Sequence, residues 1–138
     1  SHTVALTEGG MLWVWGGGQH GQLGLGDTNF RVVPTQLGLG EAFGGSLVRM
    51  AACGYTHTLV VTGAGVVWTW GSGAYGKLGL NDEQRRLVPT LVDSERFEGA
   101  HIATVAGGIV GGLAFGPVGA AIACLDTKKH RRRTRASS

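Results

Sequence analysis

A gapless internal copy constrains this chain more than any other feature. "HTVALTEGGMLWVWGGGQHGQLGLGDTNFRVVPT" (2–35) lies over "HTLVVTGAGVVWTWGSGAYGKLGLNDEQRRLVPT" (57–90), with 17 of 34 positions identical. Chance supplies about two or three matches in such a window, so the chain is duplicated and built from stacked supersecondary units. Past Thr35 and Thr90 the copies drift, then realign one residue shorter, "LVRMAACG" (47–54) over "HIATVAGG" (101–108). Gly16, Gly18 and Gly21 fit the G-x-G-x-x-G pattern of a dinucleotide loop, and Gly71, Gly73 and Gly76 fit it again. A phosphate loop opens one helix inside a strand–helix–strand unit. Here "QLGLGDTNF" follows, with no helical stripe, and the pattern occurs twice. These glycines are expected to serve turns and close packing. Gly76-Lys77-Leu78 is likewise no P-loop, because the lysine is not followed by Ser or Thr.

Within each copy the apolar period is two. "TVALT", a turn at Glu8-Gly9-Gly10 and "MLWVWG" predict a β-hairpin. Trp13 and Trp15 fall on one face and Leu12 and Val14 on the other; Trp68 and Trp70 oppose Val67 and Thr69. Two largely apolar faces suit strands sandwiched between neighbouring sheets. "VVPT" and "LVPT" are short, and Pro34 and Pro89 confine them to an edge or a strand end. With "LVRMAACG" as a fourth run, each copy has the strand content of a propeller blade.

The motif H-T-x-x-x-T-x-x-G-x-x-W-x-W-G-x-G-x-x-G-x-L-G-L, then V-P-T and a closing A-x-G, resembles the repeats of the regulator of chromosome condensation family. The resemblance covers residues 1–108, as two repeats (2–56 and 57–108). It implies an all-β fold, here a partial propeller of about two four-stranded blades, followed by a Gly-rich, basic C-terminal tail. It also implies a binding platform rather than an enzyme. The founding member is an exchange factor for the GTPase Ran, and relatives serve in ubiquitin ligases, light signalling and vesicle traffic. A small GTPase, or a scaffold's protein partner, is therefore the implied class of ligand, in cytoplasm or nucleus. No catalytic, cofactor or metal residue carries over. Two blades cannot close a ring and would leave edges and apolar faces open. The chain thus reads as a propeller fragment, a truncated reading frame, or a protomer that self-assembles to complete the propeller.

Charge divides the chain sharply. Residues 1–127 hold six Lys/Arg against nine Asp/Glu, whereas 128–138 hold six basic groups and no acid. In that tail Lys128, Lys129, Arg131, Arg132 and Arg133 are candidate partner-binding residues: a localisation signal, a nucleic-acid patch or a flank for anionic lipid. No aromatics are interleaved, which argues against nucleic-acid recognition. Residues 109–127 form a Gly/Ala-rich apolar segment. Residues 105–125 carry no charge, and Gly108, Gly112 and Gly116 make G-x-x-x-G steps. The alternative function is accordingly a membrane-anchored or self-associating protein using 105–125. Against it, 102–108 match a strand, and the remainder holds four glycines and Pro117.

Among single residues, His2 and His57 share a repeat position, which favours a structural hydrogen-bonding role over a catalytic base. His20 and His101 do not repeat; Tyr75 stands where His20 stands in the first copy. Asp27 and Asp82 repeat and predict turn residues bonding nearby amides. The four tryptophans are expected in the core. Cys53 and Cys124 lack metal-ligand spacing. Partner choice is expected from non-repeating loop charges such as Glu41, Lys77, Glu83, Arg85 and Glu95.

Overall fold

The computed structural model describes residues 1–38 and 41–105. Their strands form two antiparallel sheets. The first runs β1 (His2–Leu6), β2 (Leu12–Gly16), β3 (Arg31–Leu37) in that order. The second runs β4 (Val48–Cys53), β5 (His57–Thr62), β6 (Val67–Gly71), β7 (Arg86–Val92). These are consecutive blades of a partial β-propeller. The hairpins close as the sequence predicts. Thr7 N–H donates to Met11 O at 2.9 Å and Gly10 N–H to Thr7 O at 3.0 Å. Thr62 N–H to Val66 O at 3.0 Å and Gly65 N–H to Thr62 O at 2.9 Å repeat both bonds in the second blade.

The blades divide the chain differently from the sequence copies. β4 belongs to the repeat that begins at His2, yet it pairs with β5, placing Ala51 opposite Val60 and Cys53 opposite Thr58. Only Gly54, Tyr55 and Thr56 separate β4 from β5, a link that suits an antiparallel neighbour. The sheet boundary therefore falls between Leu37 and Val48, and the first blade has three described strands. Residues 101–105 are not in a strand, although the alignment with "LVRMAACG" predicts one from Ile102. They still enter in phase: Ile102 N–H donates to Gly65 O at 3.1 Å, as Val48 N–H does to Gly10 O at 3.0 Å. Arg49 then holds the carbonyls of Ile102 (2.6 Å) and Ala103 (2.9 Å). The segments 109–127 and 128–138 lie outside the described residues.

The glycine pattern resolves into blade geometry. Ladder irregularities fall between Val14 and Gly16 and, in phase, between Thr69 and Gly71. Gly16 and Gly71 take φ +98° and +100° there, which a side chain resists. Gly18 and Gly73 serve closeness instead: a Cβ would run into the carbonyl oxygen of Asn29 or Gln84 across the loop. Among the described residues no helix long enough for a phosphate site follows; Ala74–Gly76 is a single turn in which Tyr75 departs from helical φ/ψ.

The main core lies between the sheets. Val4, Leu12, Val14 and Leu37 of the first blade meet Ala51, Cys53, Val60 and Trp70 of the second. Phe43, in the β3–β4 connection, lies edge-on to Trp68 and tilted to Trp70, at 6.0 Å in both cases. A smaller cluster, Val61, Val67 and Val92, covers the far face of the second blade with Phe97, Ile102 and Val105. Pro34 and Pro89 lie in the last strand of each sheet, as an edge requires.

Substitution should separate the two kinds of glycine. Gly18→Ala forces its new methyl into Asn29 O and should cost about 1–3 kcal/mol in denaturant unfolding. Gly63→Ala has open space and no positive φ, and should be neutral or stabilising by up to about 1 kcal/mol.

Candidate functional site

Two features carry the repeated and the non-repeated polar residues: the seam between blades and the rim of loops above it. The seam centres on one carbonyl. Gln22 O accepts Thr58 Oγ1–H at 2.6 Å and Trp70 Nε1–H at 2.9 Å, both from the second blade. A carbonyl only accepts, so the single Thr58 hydroxyl proton points to it. His2 Nε2, 2.7 Å from Thr58 Oγ1, must then donate, so His2 carries a proton on Nε2. The H-T pair is thus a connector: histidine from one blade reaches threonine of the next. Trp70 is fully buried over Gly24, where a Cβ would collide with the indole.

The open ends show what a neighbouring blade contributes. Thr3 and Trp15 occupy the repeat positions of Thr58 and Trp70, yet Thr3 is exposed and Trp15 only half-buried. Val32 is 81% exposed, while its counterpart Leu87 is partly covered by the 17–30 loop, whose Gly26 N–H donates to Leu87 O at 2.9 Å. Core status for the tryptophans therefore holds fully for Trp70 alone; Trp13, Trp15 and Trp68 are half-buried.

Burial, then the charges of the Ser1 ammonium and His57, lowers the His2 pKa from 6.5 to about 4. Burial, then Lys77, lowers that of His57 from 6.5 to about 4. Between those values the unfolded chain binds the protons more readily. The stabilisation from neutral His2 and His57 is complete above pH 6.5 and is lost as pH falls toward 4.

Strand direction puts the loops 17–30, 54–56 and 72–85 at one end of the sheets. Residues 7–11, 38, 41–47, 63–66 and 93–101 lie at the other. The first rim is internally braced. Asp27 accepts the Asn29 amide at 2.9 Å and pairs with Arg31 at 2.8 Å; Asp82 repeats both with Gln84 and Arg86 at the same distances. The Arg31 and Arg86 hydrogen bonds, then those amides, hold both carboxyls below their ordinary pKa. The turn role of Asp27 and Asp82 is as the sequence predicts. Their ion pairs were visible only as a D-x-x-x-R that recurs in both copies. Lys77 Nζ donates to Thr56 Oγ1 at 2.6 Å, and Arg85 Nη1 reaches Gln19 O across the seam at 3.4 Å. Tyr75, 96% exposed, holds φ +62° while its amide donates to Glu83 Oε1 at 3.1 Å. The seam role of Thr58, the Gln22 carbonyl and the Tyr75 backbone escaped sequence reasoning. Only the duplicated H-T could have signalled the first.

With Arg31 and Arg86 counted, this rim sets four cations against three carboxylates; the opposite rim sets Arg96 against Glu8, Glu41, Asp93, Glu95 and Glu98. Among the described residues no group of three or more His, Cys, Asp or Glu could hold a metal. No helix among them is long and apolar enough to cross a membrane. The candidates Lys128, Lys129, Arg131, Arg132 and Arg133 lie outside the described residues, as does nearly all of the 105–125 segment.

The seam carries a direct test. Thr58→Val orphans the His2 donor and should cost about 1–3 kcal/mol in unfolding free energy. Thr3→Val, at the same repeat position on an open face, should stay within about 0.5 kcal/mol.

Comparison with known proteins agrees with this architecture. The model of the Regulator of chromosome condensation (RCC1) repeat matches residues 9–61 and 64–109. The ultraviolet-B receptor UVR8 of Arabidopsis thaliana is 47% identical over 94 residues, 68% of this chain and 21% of that protein. The crystal structure of human WBSCR16 superposes with a TM-score of 0.60 at 32% identity, covering 67% of this chain and 23% of that one. Prp20p of Saccharomyces cerevisiae shares the fold at a TM-score of 0.64 and 19% identity, covering 99% of this chain and 32% of its own. The chain thus spans about a fifth to a third of these relatives. A braced loop rim that recurs in both copies, together with a repeat model that matches residues 9–61 and 64–109, places this chain in the regulator of chromosome condensation (RCC1) repeat family.

Proposed function

We propose that the chain supplies two blades of an interaction propeller, whose 17–30 and 72–85 loops contact a partner protein, with no catalytic step of its own. One observation carries this reading. Repeated polar side chains are engaged in the scaffold: His2 with Thr58, Asp27 with Arg31, Asp82 with Arg86. The exposed rim residues differ between the copies: Gln19 against Ala74, His20 against Tyr75, Phe30 against Arg85. A rigid frame with varied tips is how a binding scaffold selects a ligand. The outer edge is a poorer surface for strand addition, because Pro34 and Pro89 each remove a backbone donor.

A small GTPase is the finer candidate among protein partners. Prp20p has been described with its binding to Gsp1p and histones, and this chain covers 32% of it. Binding is the part of that role two blades can share; nucleotide exchange draws on a surface from several blades and is not assigned here. Action in the nucleus or cytoplasm accompanies this reading. The basic residues Lys128, Lys129, Arg131, Arg132 and Arg133 form a second candidate contact through their charge.

Photo-crosslinking amino acids placed one at a time at His20, Tyr75, Val33 and Val88 test the proposal in cells. Discrete protein adducts are expected from His20 and Tyr75. Adducts confined to the outer-strand positions Val33 and Val88 would contradict it.

A further inference from the structure

Tyr75 is the one bulky residue held in the left-handed region among the described residues; the other non-glycine cases are Asn81 and Glu98. Asn adopts this conformation readily and Glu98 caps a 3-10 turn, so each has a local reason. Tyr75 has none in its side chain, which is 96% exposed and packs nothing. The first copy does without the device. There His20 does not take a positive φ, and its amide bonds to Gln22 Oε1 at 2.8 Å. In the second copy a carboxylate eight residues on, Glu83, takes the Tyr75 amide instead, and the first copy has Thr28 at that position. Strained backbone held by a dedicated partner, with the side chain presented to solvent, is a feature of contact surfaces.

The surroundings specify a ligand. Two residues after Glu83, the Arg85 guanidinium crosses the seam to Gln19 O, at 3.4 Å too long to occupy its donors fully. The neighbouring guanidiniums Arg31 and Arg86 are each bound to an aspartate. Arg85 is exposed, and beside it lie Gln19 and His20, also exposed. Among the described residues this rim carries the surplus cation while the other rim is acidic, so their charges favour an anion at this end over the other. Tyrosine and arginine dominate binding hot spots: the ring gives rigid area and an O–H, the guanidinium a planar fork for carboxylate.

We infer that Tyr75 and Arg85 form a preset station for a carboxylate-bearing segment of a partner protein, lying across the seam toward His20. This rests on the rim being the contact surface, as proposed above. The aspartate or glutamate of the partner would meet Arg85, and the adjoining residue would lie on the Tyr75 ring.

A displayed library of random peptides, selected on the full 138-residue chain, is the probe. Selected peptides are expected to be enriched in Asp and Glu. Arg85→Glu and Tyr75→Gly should each weaken their binding by about tenfold or more. Glycine accepts the φ of Tyr75, so Tyr75→Gly should not lower the thermal midpoint; its loss of binding then reports the ring and not misfolding. Peptides without acidic enrichment, or binding unmoved by both variants, would overturn the station. If such peptides still lose binding when Gln19 and His20 are changed to alanine, the rim remains the contact surface and only the station fails. If no selected peptide responds to any rim substitution, both readings fall.

Discussion

The fold depends on one buried main-chain oxygen. Gln22 O takes two donors from the next blade, Thr58 and Trp70, and Thr58 in turn takes one from His2. Both lone pairs of the carbonyl are used, and the threonine has no proton left to give. The network therefore fixes blade spacing, the His2 tautomer and the seat of the largest buried side chain at once. Removing any member leaves a desolvated polar group, which is dearer than the bond itself. Apolar contact between the sheets supplies the bulk of the attraction; this network selects the angle and register at which it is made.

Seen from that carbonyl, the repeat motif loses its catalytic appearance. Histidine and threonine are adjacent in sequence but work in opposite directions, one toward the following blade and one toward the preceding one. Each blade thus presents one half of a connector on either face. The contrast between buried Thr58 and exposed Thr3, or between Trp70 and Trp15, arises because the described residues pack a blade against Thr58 and Trp70 and none against Thr3 and Trp15. The same logic explains the glycines. They let a loop backbone approach the strand below it and the indole of the next blade above it. A phosphate-binding pattern arises here as a by-product of packing.

Much of this was legible in the residues. The duplicated H-T, W-x-W-G and V-P-T motifs gave the family, the hairpins, the edge strands and the hydrogen-bonding role of His2. His57 is buried, but among the described residues its Nδ1 meets no hydrogen-bond partner. The aspartates were predicted as turn residues and are. Two matters were not legible, for physical reasons. The seam acceptor is a main-chain oxygen, so the residue there drifts freely, Gln22 in one copy and Lys77 in the other. Blade boundaries follow hydrogen bonding rather than copy boundaries, and only the short link Gly54–Tyr55–Thr56 hinted that β4 joins the second sheet. The rim was half visible: non-repeating residues pointed to it, but the left-handed Tyr75 backbone has no signature in composition or period.

The central claim is that neutral histidine ties the blades together, and nitrogen-resolved NMR of the imidazoles tests it most directly. The account predicts that His2 carries its proton on Nε2 at neutral pH, and that neither His2 nor His57 titrates until the pH nears 4. Ordinary titration of His2 near pH 6.5, or a proton on Nδ1 with Nε2 bare, would contradict it.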